Sequence, residues 1–287
     1  VAKPTSAGLI FMLPLLLSSF VDTSTSSLGL ALLLLIILGG VDDFNAISVK
    51  LRLLVIIAVS VFTLYVFFAP FTLNYLLLGF YLLGLVWWMN LYNFMDGADG
   101  MATLHALVAM VGYVLAYGLL SSGDNQLLIY MLLFSGGLLA FLLFNFPVAK
   151  MFMGDAGSLS VAFVLACFAL YGLANNLFDE TLVISFHLVF IVDATLTLLT
   201  RIRFKQRLSQ AHRLHLYQCL IAAGSRHGQV SFYYALVSLI LVLLTLMLNV
   251  WSVSLPNRTL VLLLEAAILS YFWFFYHHKT KFKHFVQ

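Results

Sequence analysis

Residues 144–178 read FNFPVAKMFMGDAGSLSVAFVLACFALYGLANNLF, and this stretch decides the fold. A loop holding one carboxylate, Asp155, between Gly154 and Ala156-Gly157-Ser158 runs directly into an apolar run over 159–178. Roughly 17–25 apolar residues suffice to cross a bilayer as a helix. A carboxylate beside such a run is tolerated only where it pairs, faces water or holds a cation, which makes it a candidate functional group. Working outward, about ten runs approach spanning length. They lie near 6–21, 28–41, 53–70, 75–92, 101–120, 127–145, 159–178, 181–199, 229–250 and 259–277. The expected fold is all-α: a polytopic integral membrane helical bundle of about ten transmembrane helices, with no repeat or linker dividing residues 1–287 into more than one domain.

Composition agrees. The 287 residues are 63% hydrophobic and 9% charged, against roughly 45–50% and 25% in soluble domains. Val1-Ala2-Lys3-Pro4-Thr5 shows no cleavable signal peptide and no initiator Met, so an N-terminal span is expected to precede this sequence. Cys167 and Cys219 lack metal-ligand spacing and read as small buried hydrophobes.

If Lys3 is cytoplasmic and ten spans alternate, 13 of the 14 Lys and Arg residues fall on the cytoplasmic side, among them Lys50, Arg52, Lys150, Arg201, Arg207, Arg213, Arg226 and Lys283. Only Arg258 faces outward, an asymmetry that the positive-inside rule requires. The same topology places Asp42, Asp43, Asp96, Asp99 and Asp155 together on the cytoplasmic side, while Asp22, Asp124, Asp179 and Glu180 sit in ordinary outer turns.

The five loop aspartates fall in three segments. Adjacent Asp42 and Asp43 follow Gly39-Gly40; one of them is explained as a helix-start cap, but two side by side repel unless a cation or a cationic site relieves them. Asn93-Phe94-Met95-Asp96-Gly97-Ala98-Asp99-Gly100 offers oxygens and amides in a compact cup, suited to a hard cation or a nucleotide. Asp155, ahead of a helix rich in small residues, suits magnesium bridging phosphates. The basic stretch 200–228 adds His212 and His215, which a topogenic loop does not explain. These parts point to metal-dependent handling of a phosphorylated, membrane-associated substrate.

In their order, four segments resemble the polyprenyl-phosphate N-acetylhexosamine-1-phosphate transferase family: DDFNAISVKLR (42–52), NFMDGADGM (93–101), NFPVAKMFMGDAGS (145–158) and AHRLHLYQ (211–218). The histidine segment is most similar to that of the O-antigen-initiating members. KPTSAGL (3–9) resembles the family's Pro-Thr and double-glycine segment in part, with Ala7 where a glycine is usual. The resemblance implies that undecaprenyl phosphate attacks the β-phosphorus of a UDP-N-acetylhexosamine (or its 6-deoxy form), releasing UMP at the cytoplasmic face of the bacterial inner membrane.

It further implies that Asp155 is a magnesium ligand with Asp96 beside it, manganese being an alternative ion, and that Asp42 and Asp43 lie near the lipid phosphate as catalytic groups. Asn93 and Asp96 would form the diphosphate pocket, Asp99 would accept from uracil, Phe152 would stack on it, and Asn145 would lie beside the nucleoside. His212, Arg213 and His215 would contact the sugar-phosphate end, with Lys50 among the substrate-binding residues. A homodimer is compatible with this reading, and no nucleic-acid partner is expected. As i and i+3 neighbours the histidines would share one face of a helical turn.

Within the spans, Asp193 is expected to pair with Arg201 two turns on, and Glu265 has no evident partner. Within the same family, peptidoglycan- or teichoic-acid-type substrates are the alternative. A transporter with an acidic ion site predicts charges near mid-bilayer and repeated halves, whereas these acids cluster at one face.

Overall fold

The computed structural model describes residues 3–69, 74–120, 125–206 and 212–281. Asp124, Arg207 and Lys283 of the charge count lie outside them. The described chain is a bundle of twelve helices: α1 (Gly8–Phe11), α2 (Leu13–Val21), α3 (Ser26–Phe44), α4 (Val49–Phe68), α5 (Tyr75–Phe94), α6 (Met101–Leu120), α7 (Asn125–Asn145), α8 (Gly154–Ala174), α9 (Glu180–Arg203), α10 (Leu216–Ala222), α11 (His227–Val250) and α12 (Leu255–Lys281).

Among the described residues nine of these are long and apolar enough to cross a membrane, one fewer than the ten runs suggested. The difference lies at the first run. Pro14 sits in the first turn of α2, where its missing N–H costs nothing, but a continuous helix would drive its ring into the Ile10 carbonyl. Residues 8–21 therefore fold as two short helices meeting at Met12.

The long helices alternate, so the ends of α3, α5, α7, α9 and α12 share one face with the starts of α4, α6, α8 and α11. This face carries the loop aspartates. At the other, Arg258 pairs with Asp179 at 2.7 Å, and Tyr81 donates to Glu180 at 2.6 Å. The central element is α8, whose Ala156, Gly157, Ser158, Ser160, Ala162 and Ala166 are all buried. Small side chains let α3 and α5 approach its backbone closely, the usual solution where lipid supplies no hydrophobic drive between helices. Both cysteines are free.

Candidate active site

Three helices of the bundle carry their own N-terminal caps: Ser48 accepts from Leu51 N at 3.3 Å, Asn74 from Leu76 N at 2.9 Å, and Asp179 from Thr181 N at 3.1 Å. Helix α8 has no such side chain, because Met153 occupies its cap position. Its first amides are met from α3 instead. Asp43 Oδ1 accepts from Asp155 N at 2.8 Å, Oδ2 accepts from Ala156 N at 3.4 Å, and the Ser6 hydroxyl donates to Oδ2 at 2.7 Å. Asp42 and Asp43 thus lie in the last turn of α3, not at a helix start. There the dipole of their own helix disfavours negative charge, and the positive end of α8 offsets it.

Asp42 Oδ1 accepts from Ile47 N at 2.6 Å, and its Oδ2 meets Arg52 Nη1 at 3.2 Å. The same Nη1 reaches Asp155 Oδ2 at 2.7 Å, while Asn93 Nδ2 donates to Asp155 Oδ1 and to Ser158 Oγ, both at 2.8 Å. The first and third acidic loops and Asn93 of the second are therefore held in one hydrogen-bonded set. Its cation is Arg52, which the sequence reading left among the topogenic charges. Lys50 stands exposed in the first turn of α4 and forms no ion pair among the described residues. Two residues apart on a helix means about 200° of rotation, so the two side chains cannot share a face.

Asp96 follows α5 beside this set. Burial pushes its carboxyl well above the usual carboxylate range, and the nearby Asp155 and Asp43 push in the same direction. Among the described residues none donates a hydrogen bond to it. Asp99 lies 3.8 Å from His227 Nδ1 at the start of α11. Asn145 is almost fully enclosed: its Oδ1 accepts from Gly100 N at 2.9 Å and Thr103 Oγ1 at 3.2 Å, and its Nδ2 donates to Met151 O at 3.0 Å. Its polar groups thus tie the second and third loops together. Phe152 is partly exposed, with Lys3 Nζ 5.2 Å above its ring. Backbone bonds between Pro4 O and Phe152 N and between Gly8 N and Met153 O, of 2.9 and 3.1 Å, dock the 3–9 segment along this edge, which brings Ser6 to Asp43.

The histidine segment lies beside the second acidic loop, with the His215 and Phe94 ring centroids 6.3 Å apart. Its rings meet, with His212 and His215 centroids 5.0 Å apart, but not across a helical turn: His215 is the extended N-cap of α10 and His212 precedes it. Arg213 is exposed. Burial holds the His215 imidazole below its ordinary pKa, partly countered by Asp193. Both histidines line a cleft of about 340 Å³ between α4, α5 and α9, with Arg201 and Asn90 also on its wall. Trp87 is common to this cleft and to an apolar cavity of about 440 Å³ that continues along α5, α8 and α9 to Tyr81 and Glu180.

Within the spans, the Asp193 carboxylate hydrogen-bonds to α10, α11 and α12 in place of the Arg201 pairing. Glu265 does have a partner, Ser185 Oγ at 3.3 Å, which also meets Thr245 Oγ1 at 2.6 Å.

The donor set fits a hard cation. Hard divalent ions take carboxylate oxygens, and magnesium needs only one or two when phosphate oxygens and water complete its shell. Asp96 has open oxygens next to Asp155, and the mutual repulsion of these carboxylates is what a cation would relieve. No group of three His, Cys, Asp or Glu side chains among the described residues is arranged as a closed metal cage.

The family model "Glycosyl transferase family 4" matches residues 25–173, which include three of the four loops. The chain belongs to that family. It is 28% identical over 219 residues to a probable undecaprenyl-phosphate N-acetylglucosaminyl 1-phosphate transferase of Bacillus subtilis, covering 72% of this chain and 61% of the relative. A phospho-N-acetylmuramoyl-pentapeptide-transferase of Streptococcus pneumoniae serotype 19F is 29% identical over 194 residues, covering 58% and 59%. The chain thus spans about three fifths of the length of these relatives.

Proposed function

We propose that this protein transfers a HexNAc-1-phosphate, or its 6-deoxy form, from a UDP-sugar to undecaprenyl phosphate at the cytoplasmic face of the bacterial inner membrane. The observation that carries this reading is the joining of Asp42 and Asp155 through Arg52, with Asn93 bonded to Asp155, beside a cleft that ends at His212 and His215. A polar head and a polyprenyl tail need such a junction of charged pocket and apolar groove.

An oxygen of the lipid phosphate forms the new bond to the β-phosphorus, and the bond from that phosphorus to the bridging oxygen of UMP breaks, its electron pair leaving with UMP. The sugar's C1–O bond is untouched, so anomeric configuration is retained. Asp155 and Asp96 would hold magnesium, or manganese in its place; when bound, the ion neutralises charge on the diphosphate and the leaving group. Arg52 Nε and Nη2 have no hydrogen-bond partner among the described residues and supply donors suited to phosphate oxygens. Asp43 fixes the start of α8, and with it Asp155. Asn93 orients the Asp155 carboxylate, Asp99 and Phe152 offer an acceptor and a ring face to the uracil, and the two histidines with Arg213 meet the sugar-phosphate end.

The O-antigen pathway is the reading favoured by the HRLHLYQ segment; a phospho-N-acetylmuramoyl-pentapeptide substrate is the alternative favoured by the relative from Streptococcus pneumoniae. Purified protein incubated with undecaprenyl phosphate, magnesium and labelled UDP-GlcNAc, UDP-GalNAc and their 6-deoxy analogues is expected to give organic-extractable label and an equimolar amount of UMP. No labelled lipid with any donor would overturn the reading, and ion flux in liposomes without UMP would replace it by a transporter.

A further inference from the structure

Asp193 lies in α9 ten residues before its charged end, about 15 Å along the axis. It is 2% exposed, in a membrane-spanning helix, where a carboxyl is retained only if its oxygens are met. They are met from four elements. Oδ1 accepts from Leu216 N at 2.8 Å, Trp273 Nε1 at 2.9 Å and Thr197 Oγ1 at 3.3 Å. Oδ2 accepts from Tyr234 Oη at 2.8 Å and Tyr217 N at 3.4 Å. His215 Nδ1, buried without a hydrogen-bond partner, stands 3.8 Å from Oδ1.

Two of these donors are the first amides of α10, so the short helix after the histidines starts on a carboxylate fixed in the bundle. The other side chains, Tyr234 of α11 and Trp273 of α12, hold that carboxylate from the far side. Beyond the anchor, fully buried Tyr217 donates from its hydroxyl to Phe94 O at 3.1 Å, at the end of α5 and two residues before Asp96. The chain of contacts therefore runs from three spans through Asp193 to α10 and on to the acidic loop. Seven residues cannot hold a helix in place by themselves. This clamp helps fix His212 and His215 beside the cleft, together with the bond from His277 Nε2 of α12 to Leu214 O at 3.2 Å.

We propose that Asp193 is a positioning residue of the transfer reaction, clamping the histidine segment against the acidic site; this rests on the transferase reading above. The test is Asp193→Asn, which keeps volume but turns one acceptor into a donor facing donors. Amide hydrogen exchange is followed peptide by peptide alongside lipid-product kinetics and Tm. Exchange over 214–222 is expected to accelerate at least tenfold and kcat to fall at least tenfold, with Tm and the exchange of α9 and α11 held at wild-type values.

Equal loosening of α9, α11 and α12 with a lowered Tm would make the residue merely structural and overturn the proposal. So would unchanged kcat. Should Asp193→Asn not yield folded protein, Tyr234→Phe, which leaves the carboxylate and removes one donor, is expected to loosen 214–222 in the same direction by a smaller factor; no change there overturns the proposal. If wild-type protein makes no lipid product, the transferase reading fails, and exchange over 214–222 alone decides whether Asp193 is the anchor.

Discussion

Arg52 Nη1 sits 2.7 Å from Asp155 Oδ2 and joins the first turn of α4 to the first turn of α8 across 103 residues of sequence. With Asp42 at 3.2 Å on the same nitrogen, one guanidinium separates two carboxylates that would otherwise repel. Arg52→Lys keeps the charge but loses the planar fork. Turnover is expected to drop on the order of 100-fold, the scale set by removing one oriented donor from a developing charge. Lys50→Ala in the same turn is expected to change turnover severalfold at most. Lipid-product assays of the two variants side by side check this; equal losses would remove Arg52 from its special place.

Asp96 gives a prediction with a definite sign. Its folded pKa is raised, so its contribution to stability is present below the unfolded value and is lost as pH rises through the folded pKa. Magnesium favours the ionised form, so binding should expel a proton and tighten as pH rises. Burial also raises the Asp155 carboxyl, so calorimetry of magnesium binding in two buffers of different ionisation enthalpy is expected to show proton release that is reduced in Asp96→Asn. That variant should also raise the Tm of the metal-free protein at alkaline pH while abolishing turnover. Undiminished proton release in the variant would assign the titration elsewhere.

What the sequence disclosed follows from range. Hydropathy and the side of each Lys and Arg are local properties, so the spans and the gathering of the acidic loops at one face were legible. Helix phase over a single turn was not: nothing in VKLR (49–52) says whether Lys50 or Arg52 points inward. Nor was the missing cap of α8 a signal of its partner, since Asp43 is 112 residues from the amide it serves. Asp193 could be read as an intramembrane acid needing a partner, but four of the donors it found come from α10, α11 and α12, which only the packed bundle brings together. The broken first helix was visible in Pro14, whose position between two apolar runs was absorbed into one span.

Gly154 tests the cross-bundle cap directly. It has φ +70°, and a Cβ there would collide with the Asp43 carboxylate, whereas Gly224, at φ +106°, has open space around it. Gly154→Ala and Gly224→Ala should both incur backbone strain of about 1–3 kcal/mol. Only the first should also displace Asp43 and cost activity. Thermal unfolding with product assays separates the two effects: a loss of Tm in both variants, larger in Gly154→Ala because the α8 cap is lost as well, with turnover lost in Gly154→Ala alone. Full activity in a folded Gly154→Ala protein would show that Asp43 need not stay on the α8 amides.

The cleft between α4, α5 and α9 should be felt by the lipid substrate and not by the nucleotide. Leu198 of α9 lies on its wall and belongs to none of the acidic loops. Leu198→Trp puts an indole into the space, so a long isoprenoid chain is expected to bind several-fold more weakly while the KM for the UDP-sugar holds. An acceptor with only two isoprene units reaches less of the groove and should lose less. Steady-state kinetics with both acceptors therefore separates three cases: a KM effect that grows with chain length supports the cleft as the tail's path, an equal effect on both acceptors points to a disturbed head-group site, and no effect places the tail along another face of the bundle.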